Sequence, residues 1–185
     1  MIASIEARYE AIEPEIRFAR TSPNPVDRRL DFCAYFLATI QEMEQRGQVF
    51  EEMRSLCLQV TLEFVKPENA WEAWLKRLPA RLVSSPLRPL LSALMQRKMG
   101  KKGHPDGFLV QIITRPEETH GLKFGFDILE CGICHLFQKH HAGQYASILC
   151  EVDYLTSSLA GLELIRSGTL ATGASKCDFR FKIQR

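Results

Sequence analysis

The sequence contains no run of about 18 apolar residues, so no stretch of it reads as a membrane-crossing helix. Its start, MIASIEARYEAIEPEIR, carries acidic residues early and lacks the apolar stretch of an export signal. The expected location is therefore the cytoplasm, where thiols stay reduced. Excess charge is also missing: the formal net charge of +2 is too small to argue for nucleic acid. One local basic run, Arg97, Lys98, Lys101, Lys102 and His104 around Gly100 and Gly103, reads as a solvated connection, with phosphate binding as the alternative. There is no internal repeat and no low-complexity segment. What remains is a chain of 185 residues with ordinary apolar and charged fractions, enough for one domain with a sizeable core.

The six cysteines are the first positive feature. In a reducing compartment they read as core residues, reactive thiols or metal ligands rather than as a disulfide framework. Cys131-Gly-Ile-Cys134-His135 has the C-x-x-C-H spacing of covalent haem attachment. That chemistry belongs to the exported side of a membrane, which the start of the chain does not support. A zinc site would draw on Cys131, Cys134, Cys150, Cys177 and His135, but the second tight ligand pair of structural zinc is missing. A redox C-x-x-C expects a βαβ start, whereas helical patterns precede the strands here. No cofactor and no metal is expected.

Periodicity places the elements. Residues 4–20 read as a helix that Pro14 kinks unless a second helix starts there, TSPNP as a loop, and 26–46 as an amphipathic helix carrying Leu30, Cys33, Phe36, Leu37, Ile40 and Met43 on one stripe. Gly47 closes it. A further helix covers 48–65, with Cys57 on its apolar face, and ends at Pro67. ENAWEAWLKRL is helical, Pro79, Pro86 and Pro89 break up the next stretch, and a helix resumes after Pro89. The period then changes. FLVQIIT (108–114) and the alternating 122–129 read as strands, 132–141 and 145–158 as helices, and 163–170 and 177–183 as two closing strands joined by a hairpin-like ATGAS turn with Gly173. Helices first, then about four strands with inserted helices, make an α+β chain with an antiparallel sheet. We expect a single domain over 1–185, helical over 1–103 and sheet-containing over 104–185.

Most candidate chemistry falls between Lys123 and Arg185. Cys131 or Cys134, before the helix at 132–141, would gain thiolate character from the helix N-terminus. Asp153 lies three residues after Cys150, so both can face one way from a helix. Asp178 follows Cys177 on a strand flanked by Phe179 and Phe181, where a carboxylate is costly to bury unpaired. Arg166 and Arg180 are the expected partners. Two readings stay open: a structural aspartate–arginine network holding the hairpin, or a polar pocket in which arginine fixes a substrate carboxylate and aspartate handles protons.

FGFDILEC, then CEVD, then LIRSGTLATGASKCDFRF resembles the C-terminal half of the L-2-amino-thiazoline-4-carboxylic acid hydrolase family. The resemblance rests on Asp127 and Cys131, on Cys150 and Asp153, on Arg166, Thr169 and Gly173, and on Cys177, Asp178, Phe179 and Arg180. It covers roughly the last 65 residues, and the N-terminal helices carry no matching motif. Glu151 and Val152 inside C-x-x-D, the additional Cys134, and HLFQKHH after Cys131 depart from the family pattern. The resemblance implies opening of a 2-aminothiazoline ring to S-carbamyl-cysteine. It implies Cys131 or Cys150 as nucleophile, Asp153 or Asp178 as base, and Arg166 or Arg180 as carboxylate clamp, with Cys177 and Thr169 in the same site. We expect Cys150, Asp153, Arg166, Cys177, Asp178 and Arg180 in one cluster. The expected partner is a small-molecule substrate or ligand, with no nucleic acid or membrane, and a homo-oligomer is an open option. A weaker likeness to vinyl-reductase-type small-ligand domains gives the alternative, a non-catalytic ligand-binding or scaffolding domain.

Overall fold

The computed structural model describes residues 1–184. Helices α1 (Ile2–Ile16), α2 (Phe18–Thr21), α3 (Arg29–Gln45), α4 (Phe50–Val65), α5 (Ala70–Val83) and α6 (Arg88–Met99) come first. Strands β1 (Leu109–Ile113) and β2 (Gly125–Glu130) follow, then α7 (Gly132–Lys139), α8 (Ala146–Leu159), β3 (Leu162–Ile165) and β4 (Cys177–Ile183). The four strands form one antiparallel sheet in the order β1-β2-β4-β3. The fold is α+β, helices first. The two sequential strand pairs form as their alternation requires, and β2 against β4 joins them.

One proline behaves differently from the expectation. Pro79 does not break its segment; α5 runs through it to Val83. Proline removes one backbone hydrogen bond, the one its N–H would give to the carbonyl of Leu75. Both residues lie on the solvent side of the helix, where water can take that carbonyl. Pro14 lies inside α1, which ends soon after it and gives way at Arg17 to the short α2.

The closing strands differ too. The segment expected as a strand over 163–170 pairs only as far as Ile165. Beyond it, the Asp178 carboxylate accepts the amides of Ser167 and Gly168, at 3.0–3.1 Å, so these donors turn away from the ladder. Thr169 then caps a short 3-10 turn over Leu170–Thr172, and Gly173 closes it with φ +88°, a left-handed conformation suited to glycine. The connection is therefore an ordered loop, not a tight hairpin turn.

Register sorts the strand residues onto two faces. Phe126 pairs with Phe179 and Ile128 with Cys177, while Asp127 pairs with Asp178 and Gly125 with Arg180. Successive side chains point to opposite faces, so Cys177 and Phe179 face one way and Asp178 and Arg180 the other. The inner face, with the Phe126 and Phe179 rings stacked 4.5 Å apart, meets α3, α7 and α8. Phe108, Phe137, Leu37, Ile40 and Ile148 are fully buried in that layer. Each contributes about 1.5–3 kcal/mol by leaving water, and this burial fixes the position of the helix ends described next.

Candidate functional site

Cys131 is the residue at which β2 hands over to α7. It occupies the N-cap of that helix, with extended backbone. The next residue has to be glycine, because a Cβ on Gly132 would fall 2.7 Å from the Asp106 carbonyl and 3.3 Å from Leu30. That close approach seats the first turn of α7 against α3. It turns Cys131 and Cys134 toward a small cavity of about 20 Å³, also lined by Arg29, Cys150, Asp153 and Cys177. A volume of this size holds about one water molecule.

Asp153 organises the charges. It stands on the inner face of α8, while Glu151 on the same helix points to α4 and accepts from Arg54 Nε at 2.8 Å and Nη2 at 2.5 Å. Arg29 Nη2 donates to Asp153 Oδ1 at 2.7 Å, and Arg166 Nη1 donates to Oδ2 at 3.0 Å. Arg166 Nη2 donates to the Cys150 carbonyl at 2.8 Å. The Arg166 guanidinium lies 4.9 Å from the Tyr154 ring and 5.1 Å from the Phe179 ring, within cation–π range. Only 4% of its side chain is exposed, against 37% for Arg29.

The thiols around the cavity are not equivalent. Cys131 makes no capping hydrogen bond of ordinary geometry. Even so, the Cys134 thiol, the amides of Cys134 and Ile133, and the charge of Arg29 draw its pKa below the usual thiol range, against the opposing effect of burial. Cys134 moves the other way, raised by the neighbouring Cys131 thiol and then by burial. Burial pushes Cys150 up to about 12, with the Asp153 charge adding to it. Burial also pushes Cys177 up to about 11, although its sulfur accepts the Leu170 amide at 3.2 Å. Cys33, on α3 beside the cluster, and Cys57, on α4, are each raised to about 12, chiefly by burial. Both sit on the apolar faces that periodicity assigned to them. Of these thiols, Cys131 is the one held toward its reactive form.

The residues expected in one cluster divide between the two faces of the sheet. Cys131, Cys150, Asp153, Cys177 and Arg166 come together on the inner face, and the Thr169 hydroxyl lies against the Cys150 thiol. Asp178 and Arg180 stand on the outer face. The expected pairing of Asp178 with an arginine does not form: its carboxylate takes the Ser167 hydroxyl at 2.7 Å and backbone amides. Arg180 instead donates to Asp127 at 2.8 Å and to the Phe126 and Phe179 carbonyls. Lys176 reaches the other Asp127 oxygen at 2.5 Å. Neighbours in sequence, Cys177 and Asp178, are separated by strand alternation. Arg29 is the residue the sequence did not flag. It opens the helical stripe at the start of α3, and nothing local ties it to a carboxylate 124 positions away. Among the described residues no group of three or more His, Cys, Asp or Glu is placed to hold a metal ion.

A family model described as L-2-amino-thiazoline-4-carboxylic acid hydrolase matches residues 32–181. The chain belongs to this family. The match takes in every residue of the inner cluster except Arg29, which precedes it. No curated protein and no solved structure matches the chain. The family match extends over α4, α5 and α6, helices in which the sequence carries no recognisable motif.

Proposed function

We propose that the inner cluster is the active site of a hydrolase that opens a small cyclic amidine bearing a carboxylate, with 2-aminothiazoline-4-carboxylate as the model substrate. The observation that supports it is the position of Cys131: the N-cap of α7, beside the Cys134 thiol and within the field of Arg29. In this reading the Cys131 thiolate adds to the amidine carbon. The bond from that carbon to the ring nitrogen breaks, and the nitrogen takes a proton, which the Cys134 thiol, lining the same cavity, can give. Water then adds to the same carbon and displaces Cys131, leaving the S-carbamyl product. Asp153, with both oxygens committed to guanidinium groups, orients Arg29 and Arg166 rather than accepting protons. Cys150 and Cys177 line the cavity wall.

A second reading has its own support. The cavity holds about one water, smaller than any ring substrate, and Asp153 is fully paired. These features suit a non-catalytic scaffolding domain, in which the aspartate–arginine contacts are structural. Turnover separates the two. The full-length protein is mixed with 2-aminothiazoline-4-carboxylate and close analogues, and release of the ring-opened thiol derivative is followed. Hydrolysis that disappears in Cys131→Ser supports the first reading; no turnover of any of these compounds by the wild type removes it.

A further inference from the structure

Any anionic substrate at Cys131 needs a cation that is near the sulfur and free to receive it. Arg180 is on the wrong face of the sheet, 9% exposed and bonded to Asp127 and two carbonyls. Arg166 is enclosed: 4% exposed, shared between Asp153 and the Cys150 carbonyl, and within reach of two aromatic rings. Arg29 lines the same cavity as Cys131 but keeps 37% of its side chain in solvent. Among the described residues its one hydrogen-bonded contact is Nη2 to Asp153, which leaves its remaining N–H donors available. Asp153 therefore holds one edge of the guanidinium and leaves the rest of the planar fork to grip a carboxylate.

We propose that Arg29, which lies outside the family-matched residues, is the anion-binding residue of this site and selects ligands with a carboxylate positioned next to the Cys131 sulfur. The proposal deepens the hydrolase reading but needs only the anion site and the adjacent thiol. Arg29 sits at the first residue of α3, so the helix backbone fixes where its side chain starts, and Asp153 fixes where it ends. A substrate entering from solvent would meet the exposed part of this guanidinium before the enclosed thiol.

Paired alkylation of the folded, full-length protein tests it. Cys131 is modified with iodoacetate, an anion, and with iodoacetamide, its neutral counterpart, and peptide mass spectrometry gives the rate at that cysteine. The ratio of the two rates cancels the thiolate fraction and reports the local preference for negative charge. Glutathione supplies the reference ratio. In the wild type the ratio should exceed the reference by roughly three- to tenfold, the range one nearby cation gives. Arg29→Gln should return it to the reference, and Arg29→Lys should keep most of it. Should Arg29→Gln fold poorly, raising ionic strength on the wild type does the same work, because screening lowers the ratio. A wild-type ratio equal to that of glutathione, a ratio indifferent to both the substitution and salt, or a Cys131 that neither reagent reaches overturns the proposal. The hydrolase reading fails separately. If 2-aminothiazoline-4-carboxylate is not turned over while the ratio still depends on Arg29, the anion site stands and the reaction does not. If turnover is normal and Arg29→Gln leaves KM unchanged, the reaction stands and the role of Arg29 does not.

Discussion

On the inner face of the sheet Asp153 lies between Arg29 and Arg166, at 2.7 and 3.0 Å; on the outer face Asp127 lies between Arg180 and Lys176, at 2.8 and 2.5 Å. The residue types and distances are nearly the same. The surroundings are not. Around Asp153 stand several thiols, a cavity of about 20 Å³ and an arginine that is partly exposed. Around Asp127 there is no thiol partner among the described residues, and Arg180 gives its remaining bonds to the carbonyls of the two central strands. A buried aspartate between two cations is thus not in itself a site. The outer pair braces β2 against β4; the inner pair leaves one cation partly exposed beside Cys131. The variants below test whether this division holds.

The largest effect is expected at Cys131. If the inner face is chemical, Cys131→Ser should lower kcat for 2-aminothiazoline-4-carboxylate by about 10⁴-fold or more, about 5.5 kcal/mol of transition-state stabilisation. Thermal unfolding should shift only slightly, since serine keeps the volume and the cap position. Steady-state rates and a melting curve on the same preparation check both halves. Turnover within tenfold of the wild type would move the chemistry away from Cys131.

Asp127→Asn comes next and should act on stability. It leaves Arg180, 9% exposed, without its charged partner, and breaking a buried pair from one side costs about 3–5 kcal/mol. Denaturant unfolding at neutral pH measures this directly. At a temperature where the variant is folded, kcat should stay near the wild-type value. Loss of kcat with intact stability would merge the two faces into one functional unit and break the comparison.

How far the sequence led is clear from these same residues. The α+β order, the strand pairs and the core positions of Cys33 and Cys57 follow from periodicity, because period 2 and period 3.6 leave direct traces in one dimension. The inner placement of Cys150 with Asp153 follows from their spacing on α8. The partnering of Asp178 did not follow. Residues 177 to 180 read as one motif, and their alternation across the sheet was present in the sequence, but the competing donors were backbone amides of Ser167 and Gly168, which have no sequence signature. Arg29 was invisible for another reason: its contact closes across 124 positions of the chain, and only the tertiary fold brings the start of α3 to Asp153 on α8.

A pH dependence of intermediate size sharpens the contrast within the inner face. Cys131 is drawn below the ordinary thiol range by Cys134, nearby amides and Arg29, while Cys150 and Cys177 are raised to about 12 and about 11. Iodoacetamide labelling of the native protein at pH 7 should therefore favour Cys131 over Cys150 and Cys177 by at least about tenfold, the factor one pKa unit supplies. The labelling at Cys131 should flatten with rising pH before that at the other two begins to climb. Equal labelling of the three at pH 7 would show that burial, not the helix start, governs this cavity.

The smallest effect belongs to Asp178, which the outer face holds by backbone amides and the Ser167 hydroxyl. Burial raises its pKa, but the Ser167 hydroxyl and the amides of Gly168 and Ser167 outweigh this and set it below the ordinary carboxylate value. A folded pKa below the unfolded one means that ionised Asp178 stabilises the fold at pH values above about 4, the unfolded value. That contribution fades as pH falls through the folded pKa. Asp178→Asn keeps a side-chain acceptor but removes the charge, and the site is partly open to solvent, so the loss at neutral pH should be about 1 kcal/mol. The gap between wild type and variant should then shrink as the pH is taken from 6 toward 2, because the wild-type carboxylate becomes neutral as well. Urea unfolding at several pH values measures the gap. A gap that widens toward acid would contradict the amide-held carboxylate, and a gap above about 3 kcal/mol at pH 7 would show that Asp178 does hold a buried arginine after all.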